Sequence, residues 1–153
     1  MARKDLVGRL LLSVAIISVG AAPLTADLNE THIYNDAWPP HARFHTAVLL
    51  LVSVGLTLVG LWLLWRKTSE LRTPFFLAAL IPVLCWGSFF PALLIPGTAV
   101  EDVPGDLPRV SGLPLNLFVG LVFVVLSVIG WWLAVSSSDR LSRPHPRYPW
   151  RRQ

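Results

Sequence analysis

The chain has little of what a soluble enzyme needs. Of its 153 residues 14% are charged and 54% hydrophobic, and the mean hydropathy is +0.58. That balance excludes a soluble globular domain, in which about a quarter of residues are charged. The one cysteine, Cys85, lies in an apolar stretch, so no internal disulfide can form. No internal repeat is present, and the chain is too short for a second domain. A net charge of +4 arrives without nucleic-acid motifs or base-stacking context, so no nucleic-acid partner is assigned. Nor is any cofactor assigned.

What the chain does have is long apolar runs, at about Leu6–Ala22, Phe44–Trp65, Phe75–Ile95 and Leu113–Val135. A helix needs about 20 apolar residues to cross the hydrocarbon core, and three of the four meet that length. The first is slightly short, and its basic start and Gly20-Ala21-Ala22 suit a cleavable leader. Pro23 would follow such a cut, so the stretch is read as a retained span. The predicted fold class is an all-α membrane protein, a four-transmembrane-helix bundle over residues 1–138. A basic, Pro-rich tail follows at 139–153.

Charge orients the bundle. Arg3, Lys4, Arg9, Arg66, Lys67, Arg72, Arg140, Arg143, Arg147, Arg151 and Arg152 all fall on one side. Only Arg43 and Arg109 fall on the other, with Asp27, Glu30, Asp36, Glu101, Asp102 and Asp106. By the positive-inside rule both termini are cytoplasmic. Trp62, Trp65, Trp131 and Trp132 fit an inner aromatic belt.

Prolines punctuate the spans. Pro39 and Pro40 disfavour helix before them and suit a first turn, so the second helix should start near Pro40. Pro82 and Pro91 interrupt the third span, each freeing a carbonyl four residues earlier. The outer link 96–112, rich in Pro, Gly and acid, reads as an irregular loop.

Polar side chains cluster at the outer end: Asp27, Glu30, His32, Asp36, Trp38, His41, Arg43, His45 and Asn116. The core of every span is read as free of ionisable side chains except Cys85, which argues against a channel or proton relay across the membrane. An outward-opening pocket is the alternative. Asp27, beside an apolar span, is the candidate acid–base carboxylate, since partial withdrawal from water raises its pKa. His41 and His45 share a helix face and are read as its relay, hydrogen-bonded to the loop carboxylates. Glu30, His32, Trp38, Arg43 and Asn116 are the candidate ligand-binding residues. Arg43 is expected to pair with Asp36 or Asp27 or to reach lipid phosphate. A His-x-x-x-His pair alone is a weak metal signal, and Ala42 stands where a metalloprotease has glutamate, so no metal is assigned. A metal on His32, His41 and His45 remains a lesser alternative.

Pro23-Leu-Thr25 with Asp27-Leu28 resembles the Pro-Ile-Thr…Asp-Leu pattern of EXPERA-domain proteins, which include the sigma-two receptor and sterol isomerases. Pro39-Pro40…Phe44 and Leu71-Arg72-Thr73-Pro74 are similar to the sigma-two receptor branch. The resemblance implies four helices with cytoplasmic ends and an inward pocket for sterols or amines. Asp27 matches that family's first-helix acid. The family's further acid in the next helix has no counterpart in Thr46–Leu64.

Two functions follow as expectations. One is an outer-leaflet site for a lipid, sterol or terpenoid, with isomerase- or hydrolase-type chemistry on Asp27 and His41/His45. The other is an accessory subunit of a larger membrane complex. The expected partners are membrane lipids, a hydrophobic small molecule, and other proteins or a second copy. The expected location is a plasma membrane or endomembrane, as a multi-pass protein.

Overall fold

A computed structural model describes residues 3–101 and 103–141. The basic tail beyond Leu141 and Asp102 lie outside the described residues. The elements run α1 (Arg3–Ala26), α2 (Pro40–Trp65), α3 (Arg72–Gly87), α4 (Phe89–Ala92), β1 (Arg109–Val110), β2 (Leu113–Pro114) and α5 (Leu115–Leu141). Taking α3 and α4 together, the described residues contain four helices long and apolar enough to cross a membrane, the signature of an integral membrane protein.

Local chemistry sets the boundaries. Pro39 is extended, with φ −63° and ψ 149°, and Pro40 occupies the first turn of α2, where a missing N–H costs nothing. At the start of α3, Glu70 Oε1 accepts the Thr73 N–H at 3.0 Å. The third span differs from the single stretch Phe75–Ile95: α3 ends at Gly87, and α4 resumes at Phe89. Pro91 has no N–H for the Gly87 carbonyl, whereas α3 runs through Pro82 without a break. Beyond α4 the chain tightens into three-residue turns. Thr98 Oγ1 closes that end by donating to the carbonyls of Ala92 at 2.7 Å and Ile95 at 2.9 Å.

α1 and α3 form the middle of the bundle. Each packs against the other and against α2 and α5, while no Cα of α2 lies within 8 Å of one of α5 among the described residues. Helix direction alternates, so one end of the bundle carries both described chain ends (the terminal end). The other carries the two long loops (the loop end).

The core at the terminal end is Leu12, Ile16, Leu64, Phe75, Ala78, Ala79 and Ala134. Apolar character alone does not separate inside from outside: Leu10, Val14, Leu51, Leu58 and Val128 are exposed and face the lipid position. Small residues mark the inside. A Cβ on Gly8 would lie 2.6 Å from the Ala134 nitrogen, and one on Gly130 would lie 3.0 Å from the Gly8 oxygen. The backbones of α1 and α5 therefore meet directly at Gly8 and Gly130.

Polar side chains stitch the helices together. Thr57 Oγ1 is 3.1 Å from the Ile16 carbonyl oxygen. The Trp65 indole donates to Ser13 Oγ at 3.0 Å, and that of Trp86 to Ser18 Oγ at 2.9 Å.

The first span carries a buried charge pair near its terminal end, while its middle holds no ionisable side chain: Arg9 Nε meets Asp5 Oδ1 at 3.0 Å, and Arg9 Nη1 donates to the Leu64 carbonyl at 2.7 Å. The guanidinium lies over the Phe75 ring, 4.5 Å from its centroid. Its position near the span's end lets a paired charge persist there. The link 96–112 is irregular over its described residues as far as Pro108, as expected, and a short hairpin follows at its end. β1 and β2 pair antiparallel through Ser111 (φ 51°) and Gly112 (φ 83°), a left-handed two-residue turn. Glu101 pins this hairpin, accepting from the Leu107 N–H at 3.1 Å and from Arg109 Nη2 at 2.6 Å.

Candidate functional site

The helix α1 stops where its polar neighbours begin. Asp27 N–H still bonds the Pro23 carbonyl at 2.8 Å, placing the Asp27 side chain on the rim of the loop end. The following residues fold back through local turns. Ile33 N–H reaches the Asp27 carbonyl at 3.2 Å and Tyr34 N–H the Asn29 carbonyl at 3.0 Å. This brings His32 onto Asp27, with His32 Nε2 3.8 Å from Asp27 Oδ1.

A short relay fixes the His32 ring. Asn29 Nδ2 donates to the Ala26 carbonyl at 2.8 Å, which orients the amide so that Oδ1 faces Thr31. Oδ1 accepts both the Thr31 N–H at 2.8 Å and the Thr31 hydroxyl at 2.6 Å. With its proton so used, Thr31 Oγ1 is the acceptor for His32 Nδ1 at 2.8 Å. The imidazole therefore carries hydrogen on Nδ1, and Nε2 is the nitrogen that faces Asp27.

The Asp27 side chain is 22% exposed. Partial burial pushes its carboxyl above the ordinary value of 3.8, and the nearby His32 ring opposes that shift. Trp38 stands edge-on to His32 at 5.3 Å between ring centroids. Arg43 Nε donates to the Trp38 carbonyl at 3.2 Å and so holds that wall in place, rather than pairing with Asp36 or Asp27.

The remaining candidates are elsewhere. His41 and His45 engage each other, with Nε2 atoms 3.0 Å apart, and both are exposed on the first turns of α2. Among the described residues no hydrogen bond or ion pair joins either one to Asp27 or to a loop carboxylate, and no three His, Cys, Asp or Glu side chains gather as a metal set. Asn116 serves the hairpin loop: Nδ2 donates to the Val100 carbonyl at 3.3 Å and Oδ1 accepts the Leu117 N–H at 2.8 Å. Glu30 is exposed. The expected constellation thus divides into an Asp27–His32–Trp38–Arg43 cluster, a histidine pair and a loop anchor. Sequence reading missed Thr31 and Asn29 as the groups that set the His32 tautomer. The Asn-x-Thr spacing was the signal, because it permits this Asx turn.

No curated protein and no solved structure matches the chain. Residues 11–133, which run from within α1 into α5, match a family of unknown function, DUF6640, and the chain belongs to that family.

Proposed function

We propose that this is a multi-pass protein of a plasma membrane or endomembrane, with both termini cytoplasmic. In this reading Asp27 and His32 form a proton-sharing site at the outer interface for the polar head of a lipid-like molecule. The observation that carries it is the Asp27–His32 pair itself. Its atoms are 3.8 Å apart, too far for a direct hydrogen bond and close enough for one polar atom to bridge. The tautomer imposed by Thr31 leaves Nε2 aimed at that position. Trp38 supplies an amphipathic wall suited to a ligand with an apolar body and a polar end. A carboxyl with a raised pKa beside an imidazole suits proton transfer to and from a sterol- or terpenoid-like substrate, the isomerase-type chemistry implied by the EXPERA-like outline.

The test is native mass spectrometry of the full chain extracted in mild detergent. A co-purifying adduct of lipid size should be present in the wild type and absent from Asp27→Asn, with the melting temperature of the variant retained. An adduct that survives Asp27→Asn removes Asp27 from the site. A stable assembly with other polypeptides and no small adduct would instead make the protein an accessory subunit.

A further inference from the structure

We propose that His41 and His45 form a two-nitrogen site for a divalent transition metal of square-planar preference, Cu(II) above all. This site is separate from Asp27 and does not depend on the reading above.

Four-residue spacing places both side chains on one face of α2, and the rigid Pro39–Pro40 start fixes that face at the loop end. Both rings present the same atom, Nε2, and the two nitrogens are 3.0 Å apart. Metal–imidazole bonds are about 2.0–2.1 Å long, so two nitrogens at right angles around one ion are about 2.9 Å apart, against about 3.4 Å at the tetrahedral angle. The hydrogen bond between the rings sets the observed separation, which is short enough for both nitrogens to reach one ion. Imidazole affinity rises to a maximum at copper in the first-row series, and Cu(II) takes such nitrogens in a square-planar arrangement.

The rings are nearly perpendicular, at 84°, with centroids 4.5 Å apart. As they stand, one Nε2–H must donate to the other Nε2. A tautomer shift in the donating ring, which releases the Nε2 hydrogen to water and takes one up on Nδ1, and a modest rotation of the two χ2 angles, which are soft for histidine, turn both lone pairs to a common point. Both side chains are exposed, so an ion has access and two equatorial positions stay open for water or an anion. Phe44 stacks on His41 at 6.4 Å and meets His45 at 5.6 Å, which limits the other positions the rings can take. The positive end of the α2 dipole opposes a cation here, an effect confined to the first turn, screened by salt and outweighed by two direct metal–nitrogen bonds.

The experiment is a Cu(II) titration of untagged full-length protein in detergent, read by electron paramagnetic resonance. One Cu(II) per chain should bind with an axial spectrum split by two nitrogens. His41→Gln and His45→Gln should each weaken binding at least tenfold and change the nitrogen splitting, while His32→Gln should leave both unchanged. Zn(II) should bind more weakly than Cu(II). Absence of saturable binding overturns the assignment. So does a His41→Gln/His45→Gln double variant, shown folded by circular dichroism, that binds Cu(II) as the wild type does. Equal weakening by His32→Gln would also overturn it, by locating the ion elsewhere.

Discussion

Replacing Gly8 by alanine should loosen the bundle, and the same change at Gly55 should not. A Cβ at Gly8 falls 2.6 Å from the Ala134 nitrogen, 2.7 Å from the Gly130 oxygen and 3.1 Å from the Ala134 Cα. All three are backbone atoms, so no side chain can swing aside. Ordinary contact begins at 3.4 Å, so α1 and α5 must part by about 0.8 Å, a gap that forfeits about a quarter to a half of the dispersion attraction along the seam. Overpacking of this kind costs about 1–3 kcal/mol, against a gain of up to about 1 kcal/mol because alanine favours helix over glycine. At Gly55 a Cβ meets nothing within 4 Å, so only the gain remains. Subtracting one variant from the other cancels helix propensity and leaves the contact itself, about 1–3 kcal/mol in favour of Gly55→Ala. Unfolding by sodium dodecyl sulfate in mixed micelles, followed by circular dichroism, reads this difference. A Gly8→Ala protein as stable as Gly55→Ala would refute the direct backbone contact.

Asp5→Leu leaves the Arg9 charge buried, so it should destabilise by about 3 kcal/mol, and Asp5→Leu/Arg9→Met should recover part of that loss. A double-mutant cycle measures the coupling, and strictly additive losses would contradict the pair. Glu101 is held below its ordinary value of 4.5 by the Leu107 and Gly105 N–H groups and by Arg109. Its contribution is therefore complete above pH 4.5 and lost as pH falls through the lowered value. Hydrogen exchange at the Leu107 amide should report that loss in the wild type, whereas in Glu101→Gln, whose amide oxygen still accepts but does not titrate, the protection of this amide should not change over that pH range. Asp27 has the opposite sign: its raised pKa makes stability fall as pH rises from 3.8 through the raised value. Asp27→Asn should flatten that part of the melting-temperature profile, and an unchanged profile would contradict it.

Hydropathy and proline placement made the spans legible in the sequence. Pro40 opens α2 as its lack of an N–H demands, and the short link after Trp65 returns the chain as an antiparallel neighbour. The clasp between Asp5 and Arg9 also had a readable four-residue spacing, but counting Arg9 as a flanking charge hid its burial. Hydropathy does not say which apolar face turns inward, because lipid and core are equally apolar; Gly8, Ala78 and Gly130 decide it by size. The outer polar cluster was visible as composition and not as pairing. Which histidine meets Asp27 depends on the Asn29–Thr31 turn, which folds His32 back while helical spacing couples His41 to His45.

The seam between Gly8 and Gly130 also bears on assembly. Backbone meets backbone where two glycines face each other, Gly8 on α1 and Gly130 on α5. A slip of one turn along either helix would bring side chains into that contact, so the pair fixes the register of the last helix against the first.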